Sequence, residues 1–314
     1  MKKLAYLFVA LLMTAHLSAQ TTTALPDVQN PHQIAVYGND LYIFDETDYS
    51  LHVYTISPFA LQWKFGQKGD GPHNFKYLPY VFIQPKTQTC TDFTKIIWFS
   101  KTGHVLKAME FSGFQDFDPN SEMLLIPVKK NFARITADHD QMKRRVDLLD
   151  SKFKTIKLVY EGPFVWQTGS ATDVRTDTVS SEGLLFIADT DKFLITVFDD
   201  QGTLVRTIDR SPDVEKVQDR ALLHQYCVSD GKIYATTYAK KNNLTEMLVL
   251  DLEGRILRRL YLPLTSIRPG RGVLRYDLFT VGQDKLYELV QNKESGKWEL
   301  LMTDLKSMQG ADHE

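Results

Sequence analysis

Short apolar runs alternate with polar turns along most of this chain. From Gly38, "GNDLYIFDETDYSLHVYTISPFALQWKF" gives a turn, an apolar run, an Asp-containing turn, a second run, another turn and a third run. From Ser181, "SEGLLFIADTDKFLITVFDDQGTLVRTI" repeats that order. So does "DGKIYATTYAKKNNLTEMLVLDLEGRILRRL" from Asp230, with "AKKNNLTE" as a longer polar loop, and so does "QDKLYELVQNKESGKWELLMTDL" from Gln283. Alternating β-branched and aromatic runs, separated by Gly, Asn and Asp, predict antiparallel hairpins.

The hairpins recur at a fixed interval. Tyr42, Phe186, Tyr234 and Tyr287 hold the same place in their copies, and Phe186 to Tyr234 is 48 residues. Tyr42 to Phe186 is three such intervals, so two more copies belong between them. They fall in "YVFIQPKTQTCTDFTKIIWFSKTGHVLKAMEF" from Tyr80 and in the segment from Phe117 to Tyr160. Six copies of four short strands predict an all-β fold, a six-bladed β-propeller of four-stranded antiparallel blades. A two-sheet sandwich would not require a fixed long interval. The chain ends should meet in one blade, with "TTTAL" or "LPDV" completing the sheet begun by "KLYELVQ".

The stretch "KFGQKGDGPHNF", Lys64 to Phe75, places three glycines and a lysine together and suggests a phosphate loop. A P-loop needs Lys and Ser/Thr after its second glycine, and Pro72 and His73 stand there instead. The dinucleotide pattern is reversed, and Pro79 and Pro85 break up the following segment where a helix would have to start. The glycines are better read as the turn between the first and second blades. Phe65, Gly66, Gly69, Gly71, Pro72 and Phe75, followed by Pro79, resemble the Phe-Gly-x-x-Gly-x-Gly-Pro-x-x-Phe signature of NHL-repeat propellers. The chain as a whole resembles six-bladed propellers of the NHL-repeat and TolB-like type, as exported by Bacteroidetes-type bacteria. Later junctions have drifted from the signature, and "RTIDRSPDVEK" keeps no glycine pair. The resemblance implies a fold rather than an activity, because propellers host many functions.

In a propeller the first strand of each blade lines a central channel. The interval places His32, Tyr80, Asp116, Arg175, His224 and Asp277 at the channel mouth, the third and fourth to within a residue or two. Such a polar ring suits a small polar ligand, and equally a water-filled channel. "SIRPGRGVLRY" adds Arg268, Arg271 and Arg275, a candidate anion-binding loop or a solvated connection. No His-x-His or His-Glu-x-x-His string supports a metal centre, so no metal ligands and no cofactor are assigned, with a divalent metal in the channel as the lesser alternative. No catalytic set can be named. The expectation is a ligand- or protein-binding scaffold. The alternative is a hydrolase or lyase of the six-bladed propeller type, with or without a metal, working at the channel mouth.

Composition changes little in this picture. "MKK", the apolar "LAYLFVALLMTAHL" and "SAQ" form a secretory signal over residues 1–19, predicting export to the periplasm or beyond. The propeller is expected over 20–307, with a frayed tail over 308–314. No later run is long and apolar enough to span a membrane. The net charge of -2 gives no support for a nucleic-acid partner. The expected partner is a protein or a small polar ligand, and the expected state is a monomer. Cys90 and Cys227 fall on opposite blades, too far apart to pair, and should be buried thiols without a catalytic role.

Overall fold

The computed structural model describes residues 20–92, 94–111, 122–138, 143–163, 166–167, 170–171, 178–218, 220–264 and 278–308. Within them lie six four-stranded antiparallel sheets. Blade I runs through Pro31–Tyr37, Asp40–Asp45, Ser50–Thr55 and Ala60–Phe65. Blade II runs through Tyr80–Ile83, Thr87–Thr91, Lys95–Ser100 and Val105–Glu110. Blade III runs through Glu122–Val128, Asn131–Asp138, Lys143–Leu149 and Thr155–Pro163. Blade IV runs through Thr178–Ser181, Leu184–Asp189, Leu194–Phe198 and Leu204–Asp209. Blade V runs through Leu223–Ser229, Lys232–Lys241, Leu244–Asp251 and Ile256–Leu262. Blade VI takes Phe279–Gly282, Lys285–Gln291 and Trp298–Asp304, and its outer strand is the N-terminal Gln20–Ala24. A two-residue ladder, Trp166–Gln167 against Ser170–Ala171, sits between blades III and IV.

The outer strand of blade VI pairs Gln20 with Thr303 through to Ala24 with Glu299. "TTTAL" is therefore the segment that closes the ring. The chain then crosses to blade I with Leu25 and Val28 buried against Tyr287, Leu289 and Leu300. The Trp298 indole donates to the Gln29 carbonyl at 2.9 Å and fastens this crossing.

Strand alternation puts every second side chain on each blade face, and both faces are covered by neighbouring blades. Tyr42, Phe44 and Val53 of blade I meet Val81, Cys90 and Ile97 of blade II. Comparable clusters fill the other seams, such as Phe186 and Ile195 of blade IV against Tyr226 and Leu248 of blade V. The matched aromatic positions Tyr42, Phe186, Tyr234 and Tyr287 are all buried. Two of the tyrosine hydroxyls bond to the next blade: Tyr234 donates to Asp284 at 3.0 Å, and the Gln88 amide donates to Tyr42 at 3.4 Å.

The turns between third and outer strands form a second repeating device. Asp150, Asp199 and Asp251 each accept backbone N–H bonds from their own turn. Gly202 and Gly254 follow the last two at positive φ. A Cβ at Gly254 would stand 2.5 Å from Ile208 of the preceding blade, so only glycine lets the blades approach this closely. A basic side chain of the preceding outer strand then binds the turn from outside. Lys157 donates to Gly202 O at 3.1 Å and Arg206 to Leu252 O at 2.7 Å; Arg258 donates likewise to Leu305 O at 2.7 Å, just past the third strand of blade VI.

Two expectations need refinement. "AKKNNLTE" is not a loop: it extends two strands of blade V and turns only at Asn242 and Asn243, both at positive φ. Met308 belongs to the packed chain rather than to a frayed tail, since its carbonyl accepts from Arg258. Residues 1–19 and 309–314 lie outside the described residues.

Candidate functional site

The inner strands all start on one face of the ring. That face, the entry face, also carries the described connections from blade I to II and from blade IV to V and the described hairpins between second and third strands. The other two turns of each blade lie on the opposite face.

Three of the six channel-mouth residues are described. His32 and His224 each occupy a β-bulge. In blade I, Pro31 pairs with Asp45 and Gln33 with Phe44, leaving His32 as the extra residue. In blade V, Leu223 pairs with Thr237 and Gln225 with Thr236, leaving His224 as the extra residue. A bulge re-aims its side chain and bends the strand. The shared His-Gln dipeptide is the sequence mark of this feature. His32 is 4% exposed, with Nδ1 3.5 Å from a Glu46 carboxylate oxygen and its ring edge toward Phe44. His224 is half-buried and packs against Tyr238.

Tyr80 opens the ladder of blade II, pairing with Thr91, and is buried in a cluster with Leu124 and Ile126. Gln33 bridges the two inner strands. Its amide donates to Val81 O at 2.7 Å and accepts from Val81 N–H at 3.0 Å. Asp116, Arg175, Asp277, Arg268, Arg271 and Arg275 lie outside the described residues.

The glycine-rich stretch is a packed connection on this face. Gly66 turns at φ +92 directly against the Tyr49 carbonyl. The Gly69 N–H donates to Phe75 O and the Phe75 N–H to Gln67 O, both within the loop. The buried Lys95 ammonium donates to Gly71 O at 2.9 Å. An anion nest would need these N–H groups turned outward. Here the loop offers a carbonyl to a cation, and Phe75 anchors it in the seam between blades I and II.

Asp48, Ser50 and His52 bring together the residue types of a hydrolase triad, but their order is wrong. A nucleophilic serine gives its proton to the histidine, and the carboxylate orients that histidine. Here Ser50 Oγ donates to Asp48 at 2.5 Å and lies 3.0 Å from His52 Nε2. Lys64 pairs with the same carboxylate at 2.9 Å. Ser50 and His52 are 0% exposed, so no substrate atom reaches them. Burial, with a smaller effect of Lys64, holds His52 below its ordinary pKa against the opposing pull of Asp45, Asp48 and Asp27. The relay is a strut within blade I. Among the described residues no group of three or more His, Cys, Asp or Glu is placed to hold a metal ion.

Blade V departs most from the repeat. Its second strand breaks register between Thr236, paired with Met247, and Lys240, paired with Thr245. The intervening arch sets Tyr238 against His224, with ring centres 4.6 Å apart at 61°. The Arg220 guanidinium lies 5.5 Å from the centre of the Tyr238 ring. The sequence singled out His224 but not Arg220 or Tyr238, since nothing local marks an arch in a strand paired on both sides.

No family model matches this chain, and no curated protein matches it in sequence. Solved structures do share its fold. One, a protein of Bacteroides fragilis whose name proposes export, is 15% identical with a TM-score of 0.56, covering 91% of this chain and 95% of its own. A member of the DUF4221 family from Bacteroides vulgatus is 12% identical with a TM-score of 0.57, covering 93% and 97%. A luciferin-regenerating enzyme is 10% identical with a TM-score of 0.51, again covering 93% and 97%. At these identities the likeness is one of fold alone.

Proposed function

We propose that this chain is an exported binding protein that recognises its ligand or partner on the entry face of the propeller and needs no cofactor. The carrying observation is where the blades differ. Their seams follow one plan, whereas the entry face carries the two histidine bulges, the arch of blade V and the connections after blades I and IV. Variation on a rigid frame is how recognition surfaces are built. The leader-like residues 1–19 and the name of the Bacteroides fragilis neighbour support export. No helix among the described residues is long and apolar enough to cross a membrane.

The test has two arms. Cell fractionation with mass spectrometry should find the chain outside the cytoplasm, starting at Gln20. The purified protein should melt at the same temperature with chelator and with a panel of divalent metals, because a metal bound only by the folded state must raise it. Cytoplasmic retention with an intact N-terminus would end the export reading. A stabilising metal whose effect is lost in both His32→Ala and His224→Ala would favour a metal-dependent enzyme instead.

A further inference from the structure

We propose that the entry-face rim of blade V is a binding site for a carboxylate on a soluble ligand, with Arg220 as the fork that receives it. This rests on the reading of the chain as a binding protein and names the chemistry of one site.

Arg220 is exposed and oriented. Its own N–H donates to Val217 O at 2.9 Å, and the three residues after it are buried. Leu222 N–H is tied to Thr190 O of blade IV at 3.1 Å. The base of the side chain is therefore fixed to two blades. Its far end lies over Tyr238. A guanidinium held over an aromatic ring by cation–π attraction does not spend its N–H donors there, and its planar fork matches a carboxylate bidentately.

Tyr238 is itself held from behind. The Thr237 hydroxyl accepts from Ala239 N–H at 3.1 Å and donates to Glu246 at 2.7 Å. Glu246 is 2% exposed and also pairs with Arg259, whose other nitrogen donates to Asp213 O at 2.7 Å. This buried pair ties the arch to the connection that carries Arg220. Burying an ion pair is a poor route to stability. Here it fixes an irregular backbone where regular pairing would have sufficed for the fold.

The charges around the site point the same way. Glu246 is matched by Arg259, and Asp213 by Arg210 at 3.0 Å. No carboxylate among the described residues pairs with Arg220, Lys240 or Lys241. The two lysines are exposed on the raised hairpin of the same blade. The rim thus presents an oriented guanidinium and two lysines to solvent.

The experiment is an amide-shift titration by NMR on the mature full-length chain. The probes are glutarate, its neutral diamide and inorganic phosphate. Glutarate should move resonances of blade V and the 210–222 connection, and the diamide should not. Arg220→Lys, which keeps the charge and loses the fork, should weaken glutarate about tenfold, the loss of one charge-assisted bond. Tyr238→Leu should weaken it comparably, and neither variant should lower the melting temperature.

Equal response to the diamide, undiminished binding by Arg220→Lys and Arg220→Ala, or no response to glutarate would each overturn the proposal. Tighter binding of phosphate through the same residues would overturn the carboxylate assignment. Shifts confined to another part of the entry face would reject this site and leave the binding-protein reading standing. Failure of that reading shows separately, in the fractionation and metal arms above.

Discussion

At the residue scale, polar side chains in this protein mostly bind backbone, and their removal should be read as lost structure. Gln33 completes the hydrogen bonding of Val81 on the next blade. Gln33→Leu leaves that N–H and C=O unmatched by protein and should destabilise by about 1–2 kcal/mol in urea unfolding. His52 is held neutral by burial, so its folded pKa lies below its unfolded value. Below pH ~6.5 the unfolded chain then takes up more protons than the folded one. This contribution to stability is present above that pH and is lost as pH falls toward the folded pKa. Between about pH 7 and pH 5 the urea midpoint should fall further in the parent protein than in His52→Gln, and parallel titrations of the two would refute it. The thiols are also set by burial. It pushes Cys227 up to about 12, with a smaller opposing effect of the Val281 N–H, and it raises Cys90 as well. Both are free. A thiol reagent at pH ~8 should label neither until the chain unfolds, because the thiolate is the reactive form.

At the element scale, the turn from third to outer strand is the unit that repeats best. Its Asp accepts backbone N–H bonds, its glycine takes positive φ, and the preceding blade packs on it. Gly254 and Gly231 separate these demands. Both have positive φ, but a Cβ at Gly231 meets nothing within 4 Å, whereas one at Gly254 meets Ile208 at 2.5 Å. Gly231→Ala should cost about 1 kcal/mol from backbone strain alone. Gly254→Ala should cost about 2–4 kcal/mol, because overpacking adds to that strain. Equal losses in the two variants would show that the close approach of blades IV and V is not what requires glycine.

At the scale of the whole molecule, the ring is closed by joining the two ends of the chain. In an open array each repeat touches only its neighbours. Here Gln20–Ala24 completes blade VI, while Leu25 and Val28 fill the seam to blade I. Deleting residues 20–30 removes two buried apolar side chains and one strand. It should cost at least about 3–6 kcal/mol, counting only the apolar burial. A truncated chain that melts like the full mature one would show that closure does not hold the ring together.

The sequence by itself determined the number of blades, their order and that the two chain ends share one blade; the structure chose Gln20–Ala24 over the alternative segment. The number, the order and the shared blade depend on alternation within strands and on a regular interval, which are local or periodic and survive in one dimension. The sequence also placed His32 and His224 at matching positions, and it identified the glycine-rich stretch as a junction because the residues a phosphate loop needs were missing. Only the tertiary structure decided the register at the channel mouth. His32 and His224 are each the extra residue of a bulge, while Tyr80 opens its ladder and packs in an apolar cluster. Only it could show that the triad-like residues of blade I are sealed and wrongly ordered, or that Arg220, Tyr238 and His224 meet. Arg220 comes from a connection, His224 from an inner strand and Tyr238 from the arch of a second strand. Glu246 bonds Thr237 of the arch and pairs with Arg259, a long-range arrangement that no periodic pattern encodes.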